Sequence, residues 1–242
     1  DLLTVALQVV GIAIMVYFVK RQLKLKKPLL EMRVFKAPSF RLGATLALLN
    51  TSSLMATELI LPLFTQNVLK VSATVSGLML IPSALVMMMV SPIAGRLYDQ
   101  IGIKKVAFLG FGIGLLTTIP MAFYSPTTSI STVTALYAIR CGGINLAYSP
   151  ISVYGLNALS QEYVVFGNTL MVNLNQIGNA FANAMAASLQ ALGQKHGIAH
   201  QLSMPASVLQ GFHWSFWSIA VLNIIAFALL FKLKNRSAVE LK

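Results

Sequence analysis

Apolar residues in this chain come in runs of about twenty, set apart by short polar segments that hold most of the Lys and Arg. A helix rising 1.5 Å per residue needs about 20 mostly apolar residues to cross a hydrocarbon core of about 30 Å. Seven stretches qualify: Leu2–Val19, Leu42–Phe64, Val75–Ala94, Val106–Phe123, Ser131–Leu156, Val164–Leu192 and Phe212–Phe231. The sixth is interrupted by polar residues. Strands of a membrane barrel would be about 10 residues long and would alternate, and these runs do neither. The pattern predicts an all-α polytopic membrane protein with seven spans.

Composition narrows the class. Of 242 residues, 57% are hydrophobic and 10% charged, and the mean hydropathy is +0.76. A soluble domain carries about 25% charged residues, so this chain lacks the polar surface to cover a core in water. One cysteine, Cys141, excludes a disulfide scaffold. The net charge of +12 would suggest nucleic acid in a soluble protein. Here the cations lie between apolar runs and report topology instead, so no nucleic-acid partner is expected.

With Asp1 placed outside, the inside segments hold fifteen Lys and Arg: eight from Lys20 to Arg41, three at Arg96, Lys104 and Lys105, and four from Lys232 on. The outside segments hold two, Lys70 and Lys195, and Arg140 lies inside a span. This bias predicts a cytoplasmic C-terminus. Residues 20–41 read as a basic cytoplasmic linker, carrying Pro28 and Pro38, between a first span in residues 1–19 and six spans in residues 42–233. Residues 234–242 read as a cytoplasmic tail. The chain begins at Asp1 with neither Met nor a charged leader, and is expected to be a piece of something longer.

Few residues inside the spans can carry chemistry. Glu58 is the sole acid there, and an ionisable group at mid-bilayer costs about 2.5–3.5 kcal/mol, so it marks a cavity, a partner or a proton site. Arg140 sits at a similar depth, roughly 12–14 Å below the outer boundary at 1.5 Å per residue. The two can pair if their helices are adjacent, and Arg140 can otherwise bond to backbone carbonyls. Asn168, Asn175, Asn179 and Asn183 recur at offsets of seven, four and four, which sets them along one helix face. With Asn145 of the fifth span they are candidates for lining a polar cavity or for bonding between helices. Gly110, Gly112 and Gly114 fit small-residue packing. His196 and His200 lie four apart without a third ligand, so no metal site is expected. No nucleophile–His–acid set is present, and neither catalysis nor a cofactor is expected.

The segment after the third span reads Gly95-Arg96-Leu97-Tyr98-Asp99-Gln100-Ile101-Gly102-Ile103-Lys104-Lys105. Alone it is a tight charged turn, with Gly95 suited to close helix approach, Gly102 able to take a turn conformation closed to other residues, and Asp99 able to sit at a helix N-terminus or pair with Arg96 or Lys104. Its spacing resembles the loop signature G-x-L-a-D-r-x-G-r-k-x of the major facilitator superfamily, matched at Gly95, Leu97, Asp99, Gly102 and Lys104. Gln100 and Ile103 depart where the family usually has Arg. Pro28-Leu29-Leu30, Leu61-Pro62-Leu63-Phe64-Thr65-Gln66 and the stretch from Ser72 to Pro82 resemble fourteen-helix drug:proton antiporters of the EmrB/QacA type. Arg140-Cys141-Gly142-Gly143-Ile144, Pro150 and Gly155-Leu156-Asn157 are similar to the lincomycin-resistance-like branch.

The resemblance implies a linker helix followed by the C-terminal six-helix half of a transporter, whose N-terminal half is missing. It implies proton-coupled efflux of drugs or other lipophilic or cationic compounds by alternating access. The expected partners are a small-molecule substrate, protons, the lipid bilayer of the cell membrane and the missing half. A specific metabolite or peptide exporter on the same fold stands as the alternative, and a non-transporting sensor or assembly subunit as a third.

Overall fold

The computed structural model describes residues 31–233, together with Val10, Gly11, Tyr17 and Arg21 upstream. The first predicted span, most of the linker before Glu31 and the tail 234–242 lie outside the described residues.

Six helices follow a short 3-10 turn at Met32–Lys36: α1 (Pro38–Asn67), α2 (Ala73–Leu78), α3 (Ile81–Met121), α4 (Ile130–Leu156), α5 (Gln161–Ala199) and α6 (Met204–Leu229). No strand is present among the described residues. Pro38 opens α1 and Pro205 opens α6, at positions where a missing N–H removes no helical bond. Ser72 and Ser129 cap α2 and α4 through their hydroxyls, which accept from Val75 N and Thr132 N. By length and composition Pro38–Asn67, Ala73–Met121 and Met204–Lys232 suffice to cross a membrane. The helices α4 and α5 are 27 and 39 residues long and carry the arginine and the amides.

The long helix α3 is two passes. Gly102 breaks it at φ 78° and ψ 164°. Both arms then reach the same stretch of α4: Val86 of the first arm faces Gly142, and Ile113 of the second faces Gly143. The chain therefore reverses at Gly102. Sequence pattern had set a turn over the whole segment from Gly95 to Lys105. The structure corrects this, because the backbone is helical on both sides and the reversal is confined to Gly102.

Lipid is as apolar as a leucine side chain, so helices in a membrane associate mainly through close van der Waals packing at small residues. A Cβ on Gly43 of α1 would stand 2.8 Å from Gly155 Cα of α4. One on Gly110 of the second arm would stand 2.6 Å from Gly143 O. These two crossings seat α4 between α1 and α3. The helices α1 and α5 run in the same direction, since Gly167 meets Phe40 and Gly178 meets Leu48 and Ser52. The helix α4 runs against α1.

Two apolar cores result. One, near the Gly102 end, contains Phe40, Leu46, Ile103, Phe111, Ile151 and Leu230. The other, near the opposite end, contains Ile60, Phe64, Met121, Tyr137, Phe212 and Phe216. At or near the border between them, on every one of α1, α3, α4 and α6, comes a buried polar residue: Ser53, Thr118, Arg140 and Asn223.

Gly102 is buried in a region of φ and ψ open essentially to glycine, and other residues there cost about 1–3 kcal/mol. Gly102→Ala is expected to lower the thermal midpoint of the purified full-length protein. An unchanged midpoint would show that the turn does not depend on glycine.

Candidate functional site

The polar layer is a single hydrogen-bonded junction of four spans. Arg140 is fully buried. Its Nε donates to Thr118 Oγ1 at 2.9 Å, and its Nη2 donates to Ser53 O at 3.0 Å and to Ser53 Oγ. Asn223 Nδ2 donates to Ser53 Oγ at 2.9 Å, to Thr118 Oγ1 at 3.4 Å and to Ile219 O at 3.0 Å. Thr118 Oγ1 in turn donates to Gly114 O at 2.6 Å. The small hydroxyls leave room for the guanidinium, and each accepts from both Arg140 and Asn223.

Nη1 of Arg140 is buried without a protein partner. The one ion pair among the described residues joins Arg33 to Glu31 at 3.6 Å, far along the chain from this layer. Arg140 is thus a buried cation held by neutral dipoles. Hydrogen bonds to a charged group contribute about 1.5–3 kcal/mol each, while desolvating an ion costs several.

The predicted pairing of Glu58 with Arg140 is not formed. Arg140 meets α1 at Ser53, five residues before Glu58. Five residues turn a helix about 140° beyond a full revolution, so Glu58 points away from the junction. Depth counted from helix ends places the two level, and the observed ends at Asn67 and Ile130 shift both counts by one residue, so it is the rotation of α1 and not depth that separates them. Glu58 is exposed on the bundle surface, beside Leu59 at 38% exposure. It lies nine residues from the end of α1, about 14 Å at 1.5 Å per residue.

The amides divide. Asn145 Nδ2 donates to Met87 O at 2.7 Å and so fastens α4 to the first arm of α3. Asn175 Nδ2 donates to Tyr148 OH at 3.2 Å, joining α5 to α4. The Oδ1 atoms of Asn175, Asn179 and Asn183 are buried without a protein partner. Their face of α5 adjoins α1, where Gly178 packs on Leu48 and Ser52. Asn168 shares the register but is exposed, although Gly167 beside it is buried against Phe40.

At the hairpin, Leu97 packs with Ala94, Val106 and Leu146. Asp99 is exposed and makes no ion pair with Arg96 or Lys104. Gly95 is exposed, and a Cβ there would meet nothing within 4 Å, so its expected role in close helix approach is not seen. Lys104 is half-buried.

Sequence reasoning missed Ser53, Thr118, Asn223 and Asn50. Asn50 of α1 is 1% exposed, and both its amide atoms lack protein partners. The signal was available for Asn223, the single amide in the apolar run Phe212–Phe231. A serine or threonine in a span gives no such signal, because its hydroxyl can bond to its own helix, as Thr57 does to Ser53 O at 2.9 Å.

A family model described as Major Facilitator Superfamily matches residues 2–183. The chain is 36% identical over 226 residues to the uncharacterized MFS-type transporter YcnB of Bacillus subtilis, covering 93% of this chain and 48% of that protein. It is 33% identical over 178 residues to the lincomycin resistance protein LmrB of Listeria innocua, covering 74% of this chain and 38% of the relative. It is 26% identical over 189 residues to the multidrug resistance protein B homolog of Mycobacterium tuberculosis, covering 75% and 34%. The chain spans less than half the length of each of these relatives.

Proposed function

As this chain belongs to the Major Facilitator Superfamily, we propose that it forms the C-terminal six-helix half of a proton-coupled exporter of drugs or other lipophilic or cationic compounds. Lincomycin resistance in one relative and multidrug resistance in another support efflux as the direction and drugs as the substrate class. The family generally transports rather than catalyses.

One observation carries the reading. Glu58 stands on an uncovered face of a membrane-crossing helix, where contact with lipid would cost about 2.5–3.5 kcal/mol. That face needs an aqueous pathway or the second half of the transporter against it. The half-buried amides Asn179 and Asn183 lie on α5, the helix packed beside α1, and suit varied ligands by offering both donors and acceptors. Arg140 and its junction hold α1, α3, α4 and α6 in register behind that face. Asp99, exposed and unpaired here, takes its cation in a second conformation of the transport cycle.

In proteoliposomes of the full-length protein, a pH gradient should drive accumulation of lipophilic cationic dyes and lincosamides, and dissipating the gradient should stop it. Folded protein that moves none of them under a gradient would overturn the proposal. Orientation has its own test, with the Gly102 end cytoplasmic. Cysteine at Lys195 should react with an impermeant reagent on intact cells, and cysteine at Lys104 only after permeabilisation. The reverse pattern would invert the topology. Cys141 is buried and contributes little background.

A further inference from the structure

We propose that His196 and His200 form a two-imidazole chelate for a borderline divalent cation of the Zn2+, Ni2+ or Cu2+ class. The site lies at the end of α5 remote from Gly102. Both histidines are exposed, four residues apart on one helix face. Their Nε2 atoms face each other at 3.1 Å. Two nitrogens bound to one metal at about 2.0–2.1 Å stand roughly 2.9–3.4 Å apart for angles between octahedral and tetrahedral. The observed separation is that bite.

The backbone that carries the pair is fixed. The helix ends in a left-handed cap at Gln201, φ 59°. Leu202 N donates to Gly197 O and Gln201 N to Ile198 O, both at 3.0 Å, which closes the terminus in the Schellman pattern. His200 N donates to His196 O at 3.1 Å. A helix C-terminus carries partial negative charge and favours a cation beside it. Lys195 is the nearest cation in sequence, and it projects about 100° round the helix from His196.

A second shell is also built. Gln210 of α6 lies within 3.4 Å of His196 Nδ1, seated against Gly197, where a Cβ would stand 2.7 Å from Gln210 Oε1. With the amide nitrogen toward the ring, Gln210 Oε1 is buried without a partner. A half-turn of the amide gives that oxygen the Nδ1–H to accept. The same turn fixes the tautomer in which the Nε2 lone pair points at His200, the arrangement a metal-bound imidazole needs. The rest of the coordination shell is solvent. His213 is occupied elsewhere, its Nε2 bonded to Tyr124 O at 2.7 Å.

Trp214 supplies the readout, its ring centroid 5.3 Å from that of His196. Full-length protein in detergent, purified without a polyhistidine tag, is titrated with Cu2+ and then Ni2+ while tryptophan emission is followed. Saturable quenching is expected, tighter for Cu2+ than for Ni2+, and reversible by chelator. His200→Ala and His196→Ala should each weaken it at least tenfold, His213→Ala should leave it unchanged, and Trp214→Phe should remove the quenched component while Trp217→Phe keeps it. Zn2+ should compete with Cu2+. Because both histidines are exposed, the alanine variants are expected to fold, and an unchanged thermal midpoint before metal addition confirms it. Quenching in His200→Ala equal to that of the parent protein, or none in the parent, would overturn the proposal and leave the pair as an imidazole–imidazole hydrogen bond.

Discussion

Replacing Arg140 by methionine is expected to give protein that folds and is retained in the membrane but loses transport at least tenfold. A buried ion held only by neutral groups is poor stabilisation, and an apolar residue of similar volume often replaces such a group without loss. The junction survives the change. Ser53 O still accepts from Thr57 Oγ1, Ser53 Oγ still accepts from Asn223, and Thr118 still donates to Gly114 O. Arg140→Ala differs, because it leaves a cavity among four helices, and a large-to-small change of this kind costs about 2–5 kcal/mol. Its folded yield should fall well below that of Arg140→Met. Thermal midpoints and transport rates at matched protein amount separate the two effects. Full transport by Arg140→Met would make the guanidinium a packing residue.

The helical class was legible because hydropathy answers to the bilayer itself, while the ends were not: α6 begins at Met204, eight residues before the expected Phe212, and α5 runs seven past the expected Leu192. Fragments of the site were legible for the same reason, since Glu58 and Arg140 are conspicuous in apolar runs. Their relation was not. Whether two residues on different helices meet depends on the relative height and rotation of the helices. Here Gly43 against Gly155 and Gly110 against Gly143 set those quantities. A five-residue offset along α1 was enough to replace the expected carboxylate with Ser53. The hairpin shows the same limit. Gly102 was legible as the residue free to take a turn conformation, but only the backbone angles show that the reversal is confined to it, and only packing shows that Gly95 does not touch a neighbour.

Glu58→Gln is expected to leave expression and thermal stability near those of the parent while lowering pH-gradient-driven transport at least tenfold. Sequence depth alone allowed the opposite result, in which removing the carboxylate strands Arg140 and the protein misfolds. The geometry removes that route, because the partners of Arg140 are Ser53 and Thr118, and Glu58 makes no ion pair among the described residues. Stability therefore does not depend on its charge within this half. Transport does on the proposed reading, since glutamine keeps the shape of the side chain and, like the protonated acid, both donates and accepts, but cannot take up or release a proton. Substrate binding should stay measurable in Glu58→Gln, and exchange of labelled substrate without a gradient should continue. Glu58→Asp, which keeps a titratable carboxyl about one methylene back along the side chain, should restore part of the gradient-driven rate. The double variant Glu58→Gln with Arg140→Met should show the two losses without rescue, because the groups do not touch. Gradient-driven transport by Glu58→Gln at the parent rate would place proton coupling on other residues. Recovery of expression in the double variant over Glu58→Gln alone would restore the pairing that the structure separates.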